Sequence, residues 1–183
     1  MPVQHASEKI LKSMGRKGSS KNFLDLITKL RSEIPGIHLR STVIAGFPGE
    51  TDKDFEELKN FVEDAKFDYL GCFEYSQEEG TKAAEMKDQV PNAIKYSRAN
   101  EIRELADSIS LEKLQEKLGH DFEVLIEGKE DGRYFGRAYF QAPDVDGYVY
   151  ISEFEEKKVK PGQFVNVKIQ DCEGYDLVGV LNE

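Results

Sequence analysis

Leu39-Arg-Ser-Thr-Val-Ile-Ala-Gly-Phe-Pro-Gly-Glu-Thr51 is the segment around which we predict the fold of this chain. Residues 41–45 form a short, apolar and largely β-branched run, which predicts a strand buried on both faces. The Gly-Phe-Pro-Gly turn that follows can continue neither a strand nor a helix. Thr51 is expected to cap the next helix, and Asp54 stands three residues later as the partner in a near-capping box.

The turn itself is a candidate binding site, because ligands of parallel α/β proteins bind at the carboxyl ends of the strands. Gly46 and Gly49 would let a flat ligand approach the backbone closely, Phe47 would cover a ring, and Glu50 would accept hydrogen bonds. A tight turn with no ligand is the alternative interpretation. The motif alone leaves both open, since a single glycine-rich turn is weak evidence.

Parallel strands joined by helices are predicted on both sides of this turn. Residues 2–5 resemble the end of a strand, helices are expected at 7–15, 20–34 and 51–65, and a further strand at 68–75. This βαβαβ order is typical of parallel strands with helical crossovers. Only about three strands are predicted, so the segment resembles half of a larger α/β architecture.

The pattern changes after a long helix that begins at Pro91 and runs to about residue 118. Five short segments then alternate apolar and polar residues, with turns between them: 122–126, 133–140, 148–151, 164–169 and 175–180. Such closely spaced short strands predict a small antiparallel barrel. We place the domain boundary near Gly119, which gives domains at 1–118 and 119–183.

Composition limits the function classes. The 183 residues carry a formal net charge of −10, which argues against a broad surface for nucleic acid or anionic membranes. No apolar run approaches the ~18 residues of a transmembrane helix or resembles the apolar region of a signal peptide, so we expect neither. Cys72 and Cys172 do not form a C-x-x-C pair, so no metal framework is readable. We expect a cytoplasmic protein without a membrane partner.

Several motifs together resemble one family. They are Pro2-x-Gln4-His5, Leu11-x-x-Met14-x-Arg16, Arg40-Ser-Thr42, Gly46-Phe-Pro-Gly-Glu-Thr51 and Phe73-x-Tyr75-Ser76-x-Glu78-x-Gly80-Thr81. The chain resembles the carboxyl half of a radical S-adenosylmethionine (SAM) methylthiotransferase, and its terminal barrel resembles that family's TRAM domain. Residues 142–147 are similar to the RimO branch, which methylthiolates an aspartate of ribosomal protein S-twelve, rather than to the tRNA-modifying MiaB branch.

The resemblance implies a fold, cofactors and a site. The fold is a partial (β/α) barrel whose strand ends hold SAM and [4Fe-4S] iron–sulfur clusters, followed by a small all-β TRAM/OB-like barrel. The implied cofactor-binding residues are Gln4, Arg40, Thr42, Ile44, Gly46, Phe47, Pro48, Gly49, Glu50, Tyr75 and Ser76. In the superfamily pattern Gly-x-Ile-x-Gly-x-x-Glu, Thr42 replaces the first glycine and Glu50 falls one place late. Two roles stay open for Glu50, namely contact with the adenosine or bracing of the loop.

The cysteine pattern of the family is missing. The radical cluster requires C-x-x-x-C-x-x-C, because three thiolates bind three irons and leave the fourth for SAM. An auxiliary cluster requires three further cysteines, and this chain has two in total. We therefore expect no metal ligand or catalytic residue here and no activity of the chain alone. It is expected to be a fragment, a split gene product or a truncated record, whose amino-terminal half acts in cis or in trans.

The terminal barrel is acidic, with fourteen Asp and Glu against seven Lys and Arg in residues 119–183. Phosphate binding depends on Lys and Arg, whereas an acidic surface attracts a basic protein. Charge and resemblance thus both indicate S-twelve as the partner. The expected docking residues are Tyr139, Pro143, Asp144, Asp146 and Tyr148.

Three alternatives to this partner remain. The acidic face can be merely solvated. The chain can also be an RNA-binding TRAM module or a MiaB-type fragment that acts on tRNA, which steeply salt-dependent tRNA binding would show. An unrelated α/β hydrolase is the third alternative, but the sequence contains no Gly-x-Ser-x-Gly elbow to support it.

Overall fold

The computed structural model describes residues 2–151 and 159–182. The chain divides into two compact units, Met1–Ser110 and Leu111–Glu183. No helix within the described ranges is both long and apolar enough to cross a membrane.

The first unit contains a small parallel sheet and four helical segments. Its elements are α1 (Glu8–Ser13), α2 (Ser20–Glu33), β1 (Arg40–Ala45), α3 (Asp52–Ala65), β2 (Tyr69–Glu74) and the beginning of α4 (Asn92–Gln115). β1 and β2 pair in parallel, and Gln4 adds a parallel bridge to Val43. The three predicted parallel segments therefore lie side by side, the first as a single bridge rather than a full strand.

β1 is buried on one face only, which corrects the expectation of a strand covered on both sides. Burial alternates along the strand, and Thr42 and Ile44 are only half-buried. The helices supply core residues to the other face, among them Ile27 of α2, Phe61 of α3 and Ile102 of α4. On β2, Phe73 is 62% exposed. One face of the sheet is thus left uncovered, and side chains of both β1 and β2 lie on it.

The amino terminus of α3 has the capping box that the sequence predicted. The Thr51 Oγ1 accepts a hydrogen bond from the Asp54 N–H at 3.3 Å, and the Asp54 carboxylate accepts one from the Thr51 N–H at 2.9 Å. Each bond satisfies a backbone donor that the helix leaves free, which stabilises the helix by about 1 kcal/mol. The box fixes where the turn ends and the helix begins.

The second unit is a closed five-stranded barrel. Its strands are β3 (Asp121–Glu130), β4 (Arg133–Ala138), β5 (Val149–Ile151), β6 (Phe164–Glu173) and β7 (Asp176–Leu181), in the order β3-β4-β5-β7-β6. The predicted barrel is confirmed, but the expectation that it is antiparallel throughout is wrong, because β5 and β7 pair in parallel. Five strands cannot alternate in direction around a closed ring, so one pair has to be parallel.

The division between the units falls within α4, after Ser110. Leu114, one turn later in the helix, belongs to the apolar core of the barrel, together with Val124, Val149 and Leu177. The end of the helix is therefore part of the second compact unit. The domain boundary near Gly119 stays a prediction.

Candidate functional site

The carboxyl ends of β1 and β2 open onto a pocket of about 490 Å³. Six of the residues expected to contact SAM line it: Gln4, Thr42, Ile44, Phe47, Tyr75 and Ser76. Phe73, Glu78 and Thr81 complete much of the wall, although the sequence analysis gave them no role. They lie in the same motif as Tyr75, so the motif was the pattern that could have identified them.

Tyr75 supplies a polar group that the protein leaves unsatisfied. Its hydroxyl is buried and has no hydrogen-bond partner among the described residues. Its ring packs edge-on against Phe47 with centroids 5.2 Å apart, and the Lys95 Nζ lies 5.0 Å from its centroid. A buried hydroxyl without a partner costs about 1–3 kcal/mol. A ligand whose polar group reached this hydroxyl would recover that cost.

The glycine–proline corner, residues 46–50, follows β1. Gly46 and Gly49 both have a positive φ, +77° and +81°. A Cβ on Gly46 would overlap the Lys95 Cγ and would lie 2.9 Å from the Lys95 Cβ and 3.1 Å from the Lys95 Cα. A Cβ on Gly49 would meet no atom within 4 Å. Gly46 thus makes room for α4, a contact that the sequence analysis did not foresee.

Glu50 braces the corner. Its side chain is fully buried, and one carboxylate oxygen accepts a hydrogen bond from Arg98 at 2.8 Å. The other oxygen accepts one from the Gly46 N–H at 2.9 Å and lies 3.2 Å from the His5 Nε2. Of the two roles left open by the sequence, this geometry supports bracing. Arg98 was missed because it lies far along the chain and carries no motif.

His5 takes part in this brace as a fully buried residue. Its Nδ1 accepts a hydrogen bond from the Ser7 N–H at 3.0 Å. Because a backbone N–H can only donate, the assigned tautomer carries its proton on Nε2 and donates to Glu50. His5 therefore positions the carboxylate.

The remaining predicted contacts lie elsewhere. Arg40 is exposed, and its guanidinium carbon lies 4.5 Å from the centroid of the Tyr69 ring. Pro48, Gly49 and Glu50 border a second pocket of about 520 Å³, with Arg98 in its wall. Six of the predicted residues thus line the first pocket and three the second, whereas Arg40 and Gly46 line neither.

The cysteines do not fit an iron–sulfur cluster. Burial raises the pKa of the Cys72 thiol to about 12, so it is not a thiolate at neutral pH. Burial, followed by the charge of Asp171, also raises the pKa of Cys172. In residues 2–151 and 159–182, no three His, Cys, Asp or Glu side chains are placed to hold a metal ion. Cluster ligands would have to come from other residues.

The predicted docking residues lie on or beside the β4–β5 connection. Tyr139 is 70% exposed, and Pro143 and Asp144 are exposed, whereas Asp146 and Tyr148 are half-buried. The Asp146 carboxylate accepts a hydrogen bond from the Ala142 N–H at 2.7 Å, which closes the loop on itself. Of the predicted docking residues, Tyr139, Pro143 and Asp144 are therefore the ones that this loop presents outward, beside the exposed Val145.

The aromatic residues of the barrel divide between its core and its surface. Phe140 is 6% exposed and Tyr134 packs against the core, whereas Phe135 and Tyr148 contact each other edge-on at 5.1 Å. Part of the predicted charge lies outside the described residues: Glu153, Glu155, Glu156, Lys157, Lys158 and Glu183.

Comparisons with known proteins match the two parts of the chain to different family models. The family model for the radical SAM superfamily matches residues 1–62, and that for the TRAM domain matches residues 118–181. Over 99% of its length, the chain is 48% identical to the ribosomal protein uS12 methylthiotransferase RimO of Clostridium kluyveri, of which it covers 40%. The protein of the same name from Lachnoclostridium phytofermentans is 46% identical over 98% of the chain, which covers 41% of that relative.

A third relative of this name, from Caldanaerobacter subterraneus, is 48% identical over 98% of the chain, which covers 40% of that relative. The chain therefore spans about two fifths of the length of the curated relatives it matches. The two matched regions and the similarity across almost every residue confirm the resemblance seen in the motifs. The chain is therefore similar, over nearly its whole length, to two fifths of a radical SAM methylthiotransferase, and it contains a region that matches the radical SAM superfamily and one that matches the TRAM domain.

Proposed function

We propose that this chain is part of a methylthiotransferase that modifies an aspartate of ribosomal protein uS12. In this proposal it contributes one wall of the SAM pocket and the barrel that docks the substrate. The observation that carries it is the similarity over 99% of the chain to a relative named for that reaction. The pocket at the strand ends, with six motif residues in its wall, supports the cofactor assignment.

A partial (β/α) barrel is the architecture that accounts for the first unit. Its strands are parallel and its helices bury one face of β1. Thr42, Ile44 and Phe73 on the other face would then point into the barrel, where this class of fold binds its ligands. The strands that complete the barrel would come from the residues that the relatives have and this chain does not.

The pocket residues suit distinct parts of SAM. Phe47 can cover the adenine ring, and the Tyr75 hydroxyl can exchange a hydrogen bond with a polar group of the cofactor. Gln4 and Thr42 add amide and hydroxyl groups to the same wall. When bound in a complete enzyme, SAM supplies the radical chemistry of this family. The iron–sulfur ligands would come from an amino-terminal half, present in the same protein or supplied in trans.

Calorimetric titration of the chain with SAM tests the cofactor assignment. We expect Phe47→Ala and Tyr75→Phe each to weaken binding by about tenfold, the loss expected for one good ring contact or one hydrogen bond. Arg40→Ala is the control, because Arg40 lies outside the pocket wall and its loss should leave the affinity unchanged. Equal affinity of wild type and Phe47→Ala would count against the assignment.

The barrel's partner is tested by binding of the chain to purified uS12. Exposed carboxylates such as Asp144 and the exposed ring of Tyr139 would meet a basic protein. Tyr139→Ala with Asp144→Asn should reduce binding, whereas Lys59→Ala, in the other unit, should not. If the Tyr139→Ala, Asp144→Asn variant binds uS12 as tightly as wild type does, this docking surface is overturned.

An RNA-binding barrel is the second candidate. Three rings, Phe135, Tyr148 and Tyr150, contact one another, and the Arg133 guanidinium carbon lies 4.7 Å from the Tyr150 centroid. Aromatic rings beside arginine are typical of surfaces on which bases stack. Tight tRNA binding that weakens steeply with salt would favour this candidate over uS12.

A further inference from the structure

Arg98 of α4 makes three hydrogen bonds at the end of the corner, two to Glu50 and one to Asp52. Its side chain is 8% exposed, and its Nη1 donates to the Glu50 Oε1 at 2.8 Å and to the Glu50 carbonyl oxygen at 3.2 Å. Its Nη2 donates to the Asp52 Oδ1 at 2.5 Å. One guanidinium thereby links α4 to the end of the corner and to the first turn of α3.

The second carboxylate oxygen of Glu50 connects Arg98 to the pocket wall. The Glu50 Oε2 accepts hydrogen bonds from the Gly46 N–H and from His5. Gly46 directly precedes Phe47, and His5 directly follows Gln4; both Phe47 and Gln4 line the 490 Å³ pocket. A single buried carboxylate therefore ties together two chain segments that form the pocket wall.

We propose that Arg98 is a positioning residue for this pocket, which acts through Glu50 to hold Gln4 and Phe47 in their binding arrangement. A buried carboxylate is costly unless an opposite charge lies beside it. Arg98 supplies that charge at one Glu50 oxygen, and the other oxygen accepts from Gly46 and His5. Naming SAM as the ligand rests on the proposed function, whereas the brace rests on the contacts alone.

Two readouts separate positioning from general packing. The first is SAM affinity of the whole chain by calorimetry. The second, which needs no ligand, is hydrogen exchange of the Gly46 amide by NMR, because that N–H is bonded to the carboxylate that Arg98 holds. For Arg98→Met we expect the dissociation constant for SAM to rise at least about tenfold and Gly46 exchange to accelerate by about as much.

Arg31→Met is the matched control. Arg31 also makes two hydrogen bonds between elements, to the carbonyl oxygens of Ala65 at 2.8 Å and Lys66 at 2.5 Å, but it lies outside the walls of the pockets that border the corner. Its loss should lower the melting temperature while leaving the SAM affinity and Gly46 exchange unchanged. A role in packing alone would make both variants behave alike.

A double variant tests the route through Glu50. In Arg98→Met with Glu50→Gln, no buried charge is left unpaired, and the Gln oxygen can still accept from Gly46. We expect it to recover at least half of the lost protection at Gly46. Should Arg98→Met fail to fold, Arg98→Lys keeps the charge but loses the forked contact, and the same two readouts apply with an intermediate effect.

The outcomes are distinct. Unchanged Gly46 exchange in Arg98→Met, or an equal acceleration in Arg31→Met, would overturn the positioning role. If the wild-type chain does not bind SAM but Arg98→Met accelerates Gly46 exchange, the SAM assignment fails and the brace stands. If wild type and Arg98→Met bind SAM equally, the SAM assignment stands and the positioning role fails.

Discussion

Substitution of Gly46 by alanine should disrupt the corner far more than the same substitution at Gly49. Both glycines have φ near +80°, at +77° and +81°, and both flank the Phe47-Pro48 pair. The left-handed conformation costs an alanine about 1–2 kcal/mol at either position. The cost of the backbone conformation is therefore the same for both variants, and they differ only in the surroundings of the new methyl group.

Only Gly46→Ala has an additional cost from packing. Its new Cβ would overlap the Lys95 side chain and would stand 3.1 Å from the Lys95 Cα, which is helix backbone. Inserting a methyl group into such a contact costs roughly 1–3 kcal/mol, because α4 or the turn has to shift. At Gly49 the methyl group meets no atom within 4 Å. We expect a loss of about 2–5 kcal/mol for Gly46→Ala and about 1–2 kcal/mol for Gly49→Ala.

Urea unfolding followed by far-ultraviolet circular dichroism measures both losses as free energies of unfolding. Lys95→Ala in the Gly46→Ala background removes the side-chain Cγ but leaves the Cα, so it should recover only part of the loss. Equal destabilisation by Gly46→Ala and Gly49→Ala would refute the packing argument. Full recovery by Lys95→Ala would show that the helix backbone does not limit the site.

Three further predictions concern single side chains. Burial raises the pKa of Asp54, but hydrogen bonds, led by that from Lys9, hold it well below its ordinary 3.8. The stabilisation that Asp54 provides is complete above pH 3.8 and is lost as the pH falls below that value. In urea unfolding, the free energy by which wild type exceeds Asp54→Asn should therefore shrink by about 1 kcal/mol from pH 7 to pH 3. A difference that stays constant with pH would contradict this prediction. The Cys72 thiol, with a pKa of about 12, should resist iodoacetamide at pH 8 until urea is added, whereas half-buried Cys172 should react first, as mass spectrometry of peptides would show. Tyr75→Phe should leave the free energy of unfolding unchanged or raise it by up to about 1 kcal/mol, because its hydroxyl has no partner among the described residues; a clear loss of stability would contradict this.

Local patterns were sufficient to predict the secondary structure around the corner. Thr51 and Asp54 identify a helix start by side-chain chemistry that acts over three residues, and the structure has that capping box. The alternating strands of the barrel were likewise readable, because a half-buried strand repeats every two residues. The parallel β5–β7 pair was not, since it follows from closure of the ring rather than from any local pattern.

The candidate site shows the same limit. Gln4, Thr42 and Tyr75 were predicted as pocket residues by motif, and all three line one pocket. Arg98 and Lys95 were missed, because each meets the corner from a helix more than forty residues away in sequence. Long-range partners of a buried carboxylate or of a glycine leave no trace in local periodicity.

We propose that the carboxyl ends of β1 and β2 form one wall of a nucleoside pocket. NMR of the isotope-labelled chain during a titration with SAM tests this most directly. We expect saturable shifts at Thr42, Ile44 and Tyr75, which line the 490 Å³ pocket. Shifts confined to Lys9, Ile94 and the rest of the second pocket, or no saturable shift at all, would contradict it.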